Sequence, residues 1–361
     1  MPRPAHIPHL HKSLYPLAWL YSGGVWLRNK LFDMGILPVE EFSIPIISVG
    51  NLTVGGTGKT PLIEYLIELL SPQLHVAVLS RGYNRKSKGW KIADENASAQ
   101  SLGDEPYQIH CKYPHVVVAV DSNRRRGIRN LLTLSHAPDV ILLDDAHQHR
   151  YVRPSLSIVL CDYNRPIYSD LPLPAGRLRE PRSGLSRADV VILTKCNHIL
   201  TQQEMQHEAA MLQYDAQRMY ASHIEYGSLQ TISDNTTHNI ADIIHPDTHV
   251  ILLTGIANPQ PMQQYIEEYS HNIMTYNYPD HHYYTQQEIN QVADDARRHQ
   301  SVIITTQKDA ARLRAMNLTP DFRNNCYVLP LRIALQPPHD TIAFDQLIGN
   351  HIEGTLRKGK M

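Results

Sequence analysis

The sequence predicts an α/β fold with a mainly parallel sheet at its core, and three observations carry that reading. Short apolar, β-branched runs recur at 44–49, 75–80, 116–120, 140–143, 157–161, 190–194, 250–254 and 302–306. They are continuous rather than alternating, as strands buried on both faces should be. Helical patterns separate several of them, as at 61–70 and at 286–300, where Ile289, Val292 and Ala296 share a face. Strands alternating with helices imply crossover connections and parallel pairing. Finally, 361 residues suit about two domains. A composition of 42% hydrophobic and 19% charged residues excludes a disordered or collagen-like chain.

From Ser13 to Leu27 the chain carries no charge for fifteen residues. A spanning helix needs about 20 apolar residues, and Pro16, Gly23 and Gly24 interrupt this stretch. A signal peptide is not expected either, since Arg28 and Lys30 follow directly and no small-residue cleavage site does. Leu14, Leu17, Tyr21, Val25 and Phe32 fall near helical spacing, with Trp19 and Trp26 beside them. That predicts an interfacial helix on a membrane surface within residues 1–37. Packing on the protein's own core is the competing role for such a stripe.

Residues 38–185 read as the core domain and 186–361 as a second, smaller α/β domain. The Pro- and Arg-rich stretch 150–187 and the polar 201–247 mark the transition. No internal repeat or low-complexity tract is evident. Lys plus Arg number 34 against 35 Asp plus Glu, which argues against a general nucleic-acid binder. The four cysteines form no CxxC pair, so neither a disulfide framework nor a Cys-based zinc site is expected, and a reducing cytoplasm fits. His147 and His149, like the group His6, His9 and His11, lack the matched second pair that zinc requires.

The strongest chemical signal is Thr53-Val54-Gly55-Gly56-Thr57-Gly58-Lys59-Thr60, between the strand ending at Val49 and the helix beginning near Pro61. Glycines let backbone N–H groups turn toward phosphate oxygens, and the helix N-terminus adds positive potential. Lys59 reaches the β- and γ-phosphates, and Thr60 can hold Mg²⁺. The general pattern wants Gly where Thr53 stands; the three following glycines supply the turn instead. Some 85 residues later a buried strand ends in Asp144-Asp145. A P-loop protein needs an acid there for its metal ion. Together these motifs make the core P-loop NTPase-like.

The motifs SVGNLTVGGTGKTP, RGYNR (81–85), GDEP (103–106), DSNR (121–124), DDAHQHR (144–150), LPAGRLREP (173–181), RADVVILTK (187–195), YPDHH (278–282) and TTQKDAARL (305–313) appear in this order. Together they resemble the tetraacyldisaccharide 4′-kinase family over about residues 40–315. The resemblance implies transfer of the γ-phosphate of ATP, with Mg²⁺, to the 4′-hydroxyl of an acylated disaccharide 1-phosphate lipid in lipid A biosynthesis. It also implies peripheral attachment to the cytoplasmic face of the bacterial inner membrane. No nucleic acid and no protein partner are implied. Two residues depart from the family's pattern: His147, where Phe is usual, and Arg177, where many members have Pro.

By the same resemblance Asp104 is the catalytic base, and the histidine paired with it is His281, although His282 is adjacent. Lys59 and Asp145 join the catalytic set. Thr60, Asp144 and Glu180 are placed near the metal, and Gln307, Lys308 and Asp309 at the nucleotide. Seven arginines between Arg150 and Arg187, against Asp162, Asp170 and Glu180, suit an acceptor that already carries a phosphate. Of Arg124, Arg125 and Arg126, one is credited with contacting substrate or nucleotide. Two other classes compete. A P-loop ATPase or GTPase switch without a lipid acceptor draws on Thr194-Lys195-Cys196-Asn197, which echoes a base-reading motif but has Asn where that motif has Asp. A nonenzymatic, membrane-attached ATP-binding module is opposed by Asp104, Asp144 and Asp145 together.

Overall fold

A computed structural model describes residues 12–83, 85–256, 258–279 and 282–359. The chain forms two compact units. One runs to Ile224 and resumes at Ile333; the other is Glu225–Arg332. The expected boundary at 185/186 therefore falls inside the first unit, between two strands of one sheet. A domain inserted into another leaves no composition break where the host resumes, and that is why the linear reading misplaced it.

The sheet of the first unit has nine strands: β1 (Ile46–Asn51), β2 (Val76–Ser80), β3 (Lys91–Ile92), β4 (Val117–Val120), β5 (Val140–Asp144), β6 (Leu156–Asp162), β7 (Val190–Cys196), β8 (Met219–Tyr226) and, after the inserted unit, β15 (Leu331–Gln336). Their order is β15-β8-β7-β6-β1-β5-β2-β4-β3. β1 pairs in parallel with both β5 and β6, which puts it centrally with Val49 opposite Asp144. The two-residue β3 runs antiparallel to β4.

Helices α1 (Tyr15–Asp33), α2 (Lys59–Leu70), α3 (Ala99–Leu102), α4 (Asp104–Lys112), α5 (Arg124–Leu132) and α6 (Gln202–Leu212) accompany this sheet, with α12 (Phe344–Gly359) closing the chain. Leu62, Ile63, Leu66 and Ile67 of α2 recur every three to four residues and pack with Phe344, Ile348 and Ile352 on Ile47, Val78 and Leu142. Ile128 and Leu131 of α5 pack with Ala77, Leu79 and Ile141 in a separate cluster. Side chains of α2 and α5 thus bury opposite sides of the same strands, as the continuous apolar runs required.

The second unit is built on β9 (Leu229–Thr231), β10 (Thr237–His238), β11 (Val250–Thr254), β12 (Ile273–Asn277), β13 (Val302–Thr306) and β14 (Cys326–Leu329), ordered β10-β9-β14-β13-β11-β12. Its helices are α7 (Ile240–Ile243), α8 (Gln260–Glu267), α9 (Gln286–His299), α10 (Gln307–Leu313) and α11 (Pro320–Asn325). The predicted face Ile289, Val292 and Ala296 of α9 is buried against Ile251, Leu253 and Ile303.

Helix α1 divides the predicted stripe. Phe32 is buried, its ring edge-on to Tyr151 at 4.9 Å, and Tyr21 donates its hydroxyl to the Arg179 carbonyl. Leu17, Trp19, Leu20, Trp26 and Leu27 remain exposed, with Trp19 at 79%. So one side of the helix packs on the protein itself, and its other side leaves large apolar residues exposed. Among the described residues no helix is long and apolar enough to cross a membrane.

Candidate active site

The turn between β1 and α2 is shaped by Gly55 (φ +105°) and Gly58 (φ +87°), in a region where an L side chain is strained. That accounts for glycine at both positions, and for a Thr being tolerated at 53. Thr53 bridges to Leu178, and the Val54 N–H donates to the Arg177 carbonyl (2.8 Å). The Arg179 N–H returns to the Leu52 carbonyl (2.8 Å). Asn51 Nδ2 donates to Thr57 Oγ1 (2.8 Å). Gly58 caps α2 with no side-chain hydrogen bond, so no capping side chain serves the N–H groups of the first turn.

Beside this turn β5 delivers its two acids. Asp144 is buried and accepts a hydrogen bond from Ser80 Oγ (2.9 Å). Burial, reinforced by the Glu105 and Asp145 carboxylates, pushes its carboxyl up to about 6. Asp145 sits at φ +49°, which turns it out of the strand. Its carboxylate accepts from Arg179 Nη1 (3.0 and 2.8 Å) and lies 3.5 Å from Lys59 Nζ. Burial would raise its carboxyl, but Lys59 and Arg179 together hold it below the usual range. The fully buried Arg124 donates to the backbone carbonyls of Asp121 and, at 2.8 Å, Asp144, tying the ends of β4 and β5 together. Burial lowers its guanidinium to about 10, so it is charged at neutral pH.

Asp104 is exposed at the first position of α4. Gly103 before it has φ +95°, and a Cβ there would meet the Tyr83 carbonyl at 2.8 Å. Gly82 and Tyr83 therefore fit closely against the start of α4 through that glycine. Because Glu105 acts on Asp144, the start of α4 also lies within electrostatic reach of the β5 acids.

Glu180 does not join this group. It is wholly buried, with Arg187 Nη2 at 2.7 Å, Gln148 Nε2 at 3.3 Å and Asn29 Nδ2 at 3.4 Å around its two oxygens. Its carboxylate ties α1 and the 182–187 turn to the loop after β5, where Gln148 also donates to the Asn51 carbonyl (2.6 Å).

In the second unit, Gln307, Lys308 and Asp309 open α10. Gln307 and Lys308 are solvent-facing, whereas Asp309 is 0% exposed. Its Oδ2 accepts from the Gly255 N–H (3.0 Å) and Thr306 Oγ1 (2.7 Å), and its Oδ1 from Arg312 (3.1 Å). Asp309 thus ties the start of α10 to Gly255, whereas Gln307 and Lys308, grouped with it by the resemblance, face solvent. His281 lies outside the described residues. His282 is stacked on Tyr278 (4.5 Å, 14°), edge-on to Tyr284 (5.2 Å), with Nε2 3.1 Å from Glu288 Oε2. An imidazole so engaged anchors Tyr278 and Tyr284 to the start of α9.

A family model described as tetraacyldisaccharide-1-P 4′-kinase matches residues 10–352. The chain belongs to this family. A tetraacyldisaccharide 4′-kinase of Parabacteroides distasonis is 42% identical over 360 residues, covering 98% of this chain and 97% of the relative. One from Porphyromonas gingivalis is 40% identical over 353 residues, covering 95% and 98%. Among solved structures, an LpxK from Aquifex aeolicus in complex with ATP is similar at a TM-score of 0.70 and 28% identity, covering 95% of this chain and 98% of that one. The P-loop-type α/β fold agrees with that likeness.

Both departures from the 4′-kinase pattern have local reasons. His147 is buried against Gly50, where an added Cβ would lie 2.6 Å from that of His147, and its Nε2 lies 3.0 Å from the Gly184 carbonyl and 3.1 Å from Arg187 Nη2. Arg177 uses its backbone N–H, donating to Asp170 Oδ1 (3.1 Å), which a proline could not do. The arginine excess of 150–187 is mostly spent internally: Arg150 pairs with Asp33, Arg153 with Glu41, Arg165 with Asp162, Arg179 with Asp145 and Arg187 with Glu180. Of the three consecutive arginines, Arg124 is buried and Arg126 grips Asp121 through two hydrogen bonds (2.8 and 2.9 Å). Arg125 lies over the Tyr151 ring at 5.3 Å. Among the described residues it has no carboxylate partner.

Proposed function

We propose that this chain transfers the γ-phosphate of ATP to the 4′-hydroxyl of a tetraacyldisaccharide 1-phosphate lipid. Family membership supplies the reaction class. The observation that carries it here is Lys59 held 3.5 Å from Asp145 at a phosphate loop whose helix is left uncapped. The acceptor oxygen attacks the γ-phosphorus, the bond to the β–γ bridging oxygen breaks, and ADP leaves. Asp104 takes the hydroxyl proton, and His281 orients or tunes that carboxylate. Backbone donors of residues 53–58 cradle the phosphates while Lys59 offsets charge on the transferring group. Gln307 and Lys308 are the nucleotide contacts of the second unit. The hydroxyl of Thr60 and the buried carboxylate of Asp144 suit Mg²⁺, a hard ion that keeps several waters and needs few protein ligands. Bound there, Mg²⁺ would neutralise charge on the β- and γ-phosphates. The exposed apolar side of α1 supports peripheral attachment to the cytoplasmic face of the bacterial inner membrane.

The test is incubation with γ-labelled ATP, Mg²⁺ and a disaccharide 1-phosphate lipid. Label is expected in the lipid. Release of labelled inorganic phosphate at a rate indifferent to the acceptor would instead favour a P-loop ATPase switch.

A further inference from the structure

The segment Thr194-Lys195-Cys196-Asn197 resembles a base-reading motif in sequence, yet its first two side chains turn to the phosphate loop. Lys195 sits at φ +59°, and the β7–β8 register shifts between Leu193 and Cys196. Irregularities of this kind re-aim a side chain. Here Lys195 Nζ donates to the Gly56 carbonyl and to Asp162 Oδ2 (2.9 Å), and Asp162 is further held by Arg165 (3.0 Å). Thr194 Oγ1 donates to the Thr57 carbonyl (2.9 Å). The carbonyls of two successive peptides are therefore fixed from one side.

A trans peptide is planar, with its C=O and N–H pointing in opposite directions. Fixing the Gly56 carbonyl fixes the direction of the Thr57 N–H, and fixing the Thr57 carbonyl fixes that of the Gly58 N–H. Both point away from β7. Space is open around Gly55 and Gly56, where an added Cβ would meet nothing within 4 Å, while the buried Thr57 side chain is held by Asn51 (2.8 Å). We infer that Lys195 and Thr194 are positioning residues that preorganise the Thr57 and Gly58 N–H groups as donors to the nucleotide's phosphates. Such donors serve ADP and ATP alike, so their loss weakens binding rather than the chemical step. This inference rests on reading residues 53–60 as the nucleotide site. A fully active Lys59→Ala protein would defeat that reading, and an inactive one leaves the brace to be judged by its own variants.

The experiment uses the full chain with Lys195→Met, Lys195→Arg and Thr194→Val, measuring ADP Kd, KM for ATP, KM for the lipid acceptor, kcat and melting temperature. Lys195→Met should raise ADP Kd and ATP KM together by about tenfold, as one charge-assisted hydrogen bond warrants. Its kcat should stay within about threefold and its acceptor KM should not change. Lys195→Arg should restore most of the affinity. Thr194→Val removes a single hydroxyl donor and should show the same pattern at about threefold, which keeps the test open if Lys195→Met fails to fold. An unchanged ADP Kd in folded Lys195→Met or Thr194→Val overturns the inference. So does a fall in kcat with ATP KM unchanged, or a lower melting temperature with equal losses for every substrate that Lys195→Arg does not repair.

Discussion

Two turns in this molecule carry a buried parallel strand into a helix with a lysine near its start, and they treat the helix end differently. Between β1 and α2 the cap is Gly58 at φ +87°, without a side-chain bond. Between β13 and α10 the cap is Thr306, whose Oγ1 accepts the Asp309 N–H (3.1 Å) while donating to the Asp309 carboxylate. The first helix leaves its initial N–H groups to whatever anion arrives, and its restraints come from Arg177, Thr194 and Lys195 in other elements. The second satisfies itself within four residues and a neighbouring glycine. An open turn must be braced from outside, whereas a closed one is local and self-sufficient. Gly103 repeats the open form ahead of Asp104, again with no side-chain cap bond.

The largest expected effect breaks or upholds this contrast directly. Lys59→Ala should lower kcat by about 10³ or more, since it removes a charge aimed at the transferring phosphate. Lys308→Ala, at the closed turn, should raise ATP KM by no more than about tenfold and leave kcat nearly intact. Equal kcat losses in steady-state assays would show that the two turns do the same work.

Next comes the open turn at Gly103. Asp104→Ala should cost roughly 10²–10⁴ in kcat, the usual range for a positioned general base, with nucleotide affinity unchanged. His281→Ala should cost somewhat less, and the double variant little more than Asp104→Ala alone, because members of one catalytic unit are not additive. Multiplicative losses in that cycle would show independent roles. His282→Ala acts through the Tyr278–Glu288 anchor and should be the milder histidine variant.

The sequence contained the open turn almost completely. Its glycines, Lys59, Thr60 and Asp144-Asp145 are contiguous signals on one strand end each, and all eight apolar runs became strands. What stayed hidden is non-local. The partners of Arg150 and Arg153 lie more than a hundred residues away in the chain, at Asp33 and Glu41. Glu180 and Asp309 stand in motifs beside polar neighbours, and nothing in their spacing tells that each is fully buried and fully bonded. Lys195 is misread for a related reason: its side-chain direction depends on a backbone at φ +59° and a register shift that residue type does not announce.

Asp309→Ala should open the closed turn at a cost in stability. It removes the acceptor of the buried Gly255 N–H and of Thr306 Oγ1, a change worth about 1–3 kcal/mol. Asp309→Asn keeps one acceptor and should cost about half as much. Urea unfolding followed on the full chain reads both. A loss in kcat without a loss in stability would instead make Asp309 a nucleotide contact, and the two turns would then be alike.

The smallest effect sharpens the contrast through pH, because the open turn leans on a buried imidazole. His147 packs against Gly50 on the strand that enters the phosphate loop. Burial, with Arg187 adding to it against the opposing pull of Glu180, lowers its pKa to about 4. His149 is lowered to about 4 as well, by burial and then by Arg124, Arg81 and Arg28. An unfolded histidine titrates near 6.5. Both side chains are therefore neutral in the folded chain at pH 7, and between about 6.5 and 4 the unfolded chain binds more protons. Stability is fully present above that window and falls as pH drops through it. Going from pH 7 to 5 should cost at most about 2 kcal/mol per histidine, measured as a shift in the urea midpoint. His147→Phe removes one of the two titrations while keeping an apolar ring against Gly50, so it should flatten the dependence by about half. The same pH step should weaken nucleotide binding by Lys308→Ala by no larger a factor than it weakens binding by the parent, since the closed turn draws on neither histidine. If His147→Phe shows the parent's full slope, His147 is not held neutral, and the open turn's support is less sensitive to acid than its burial implies.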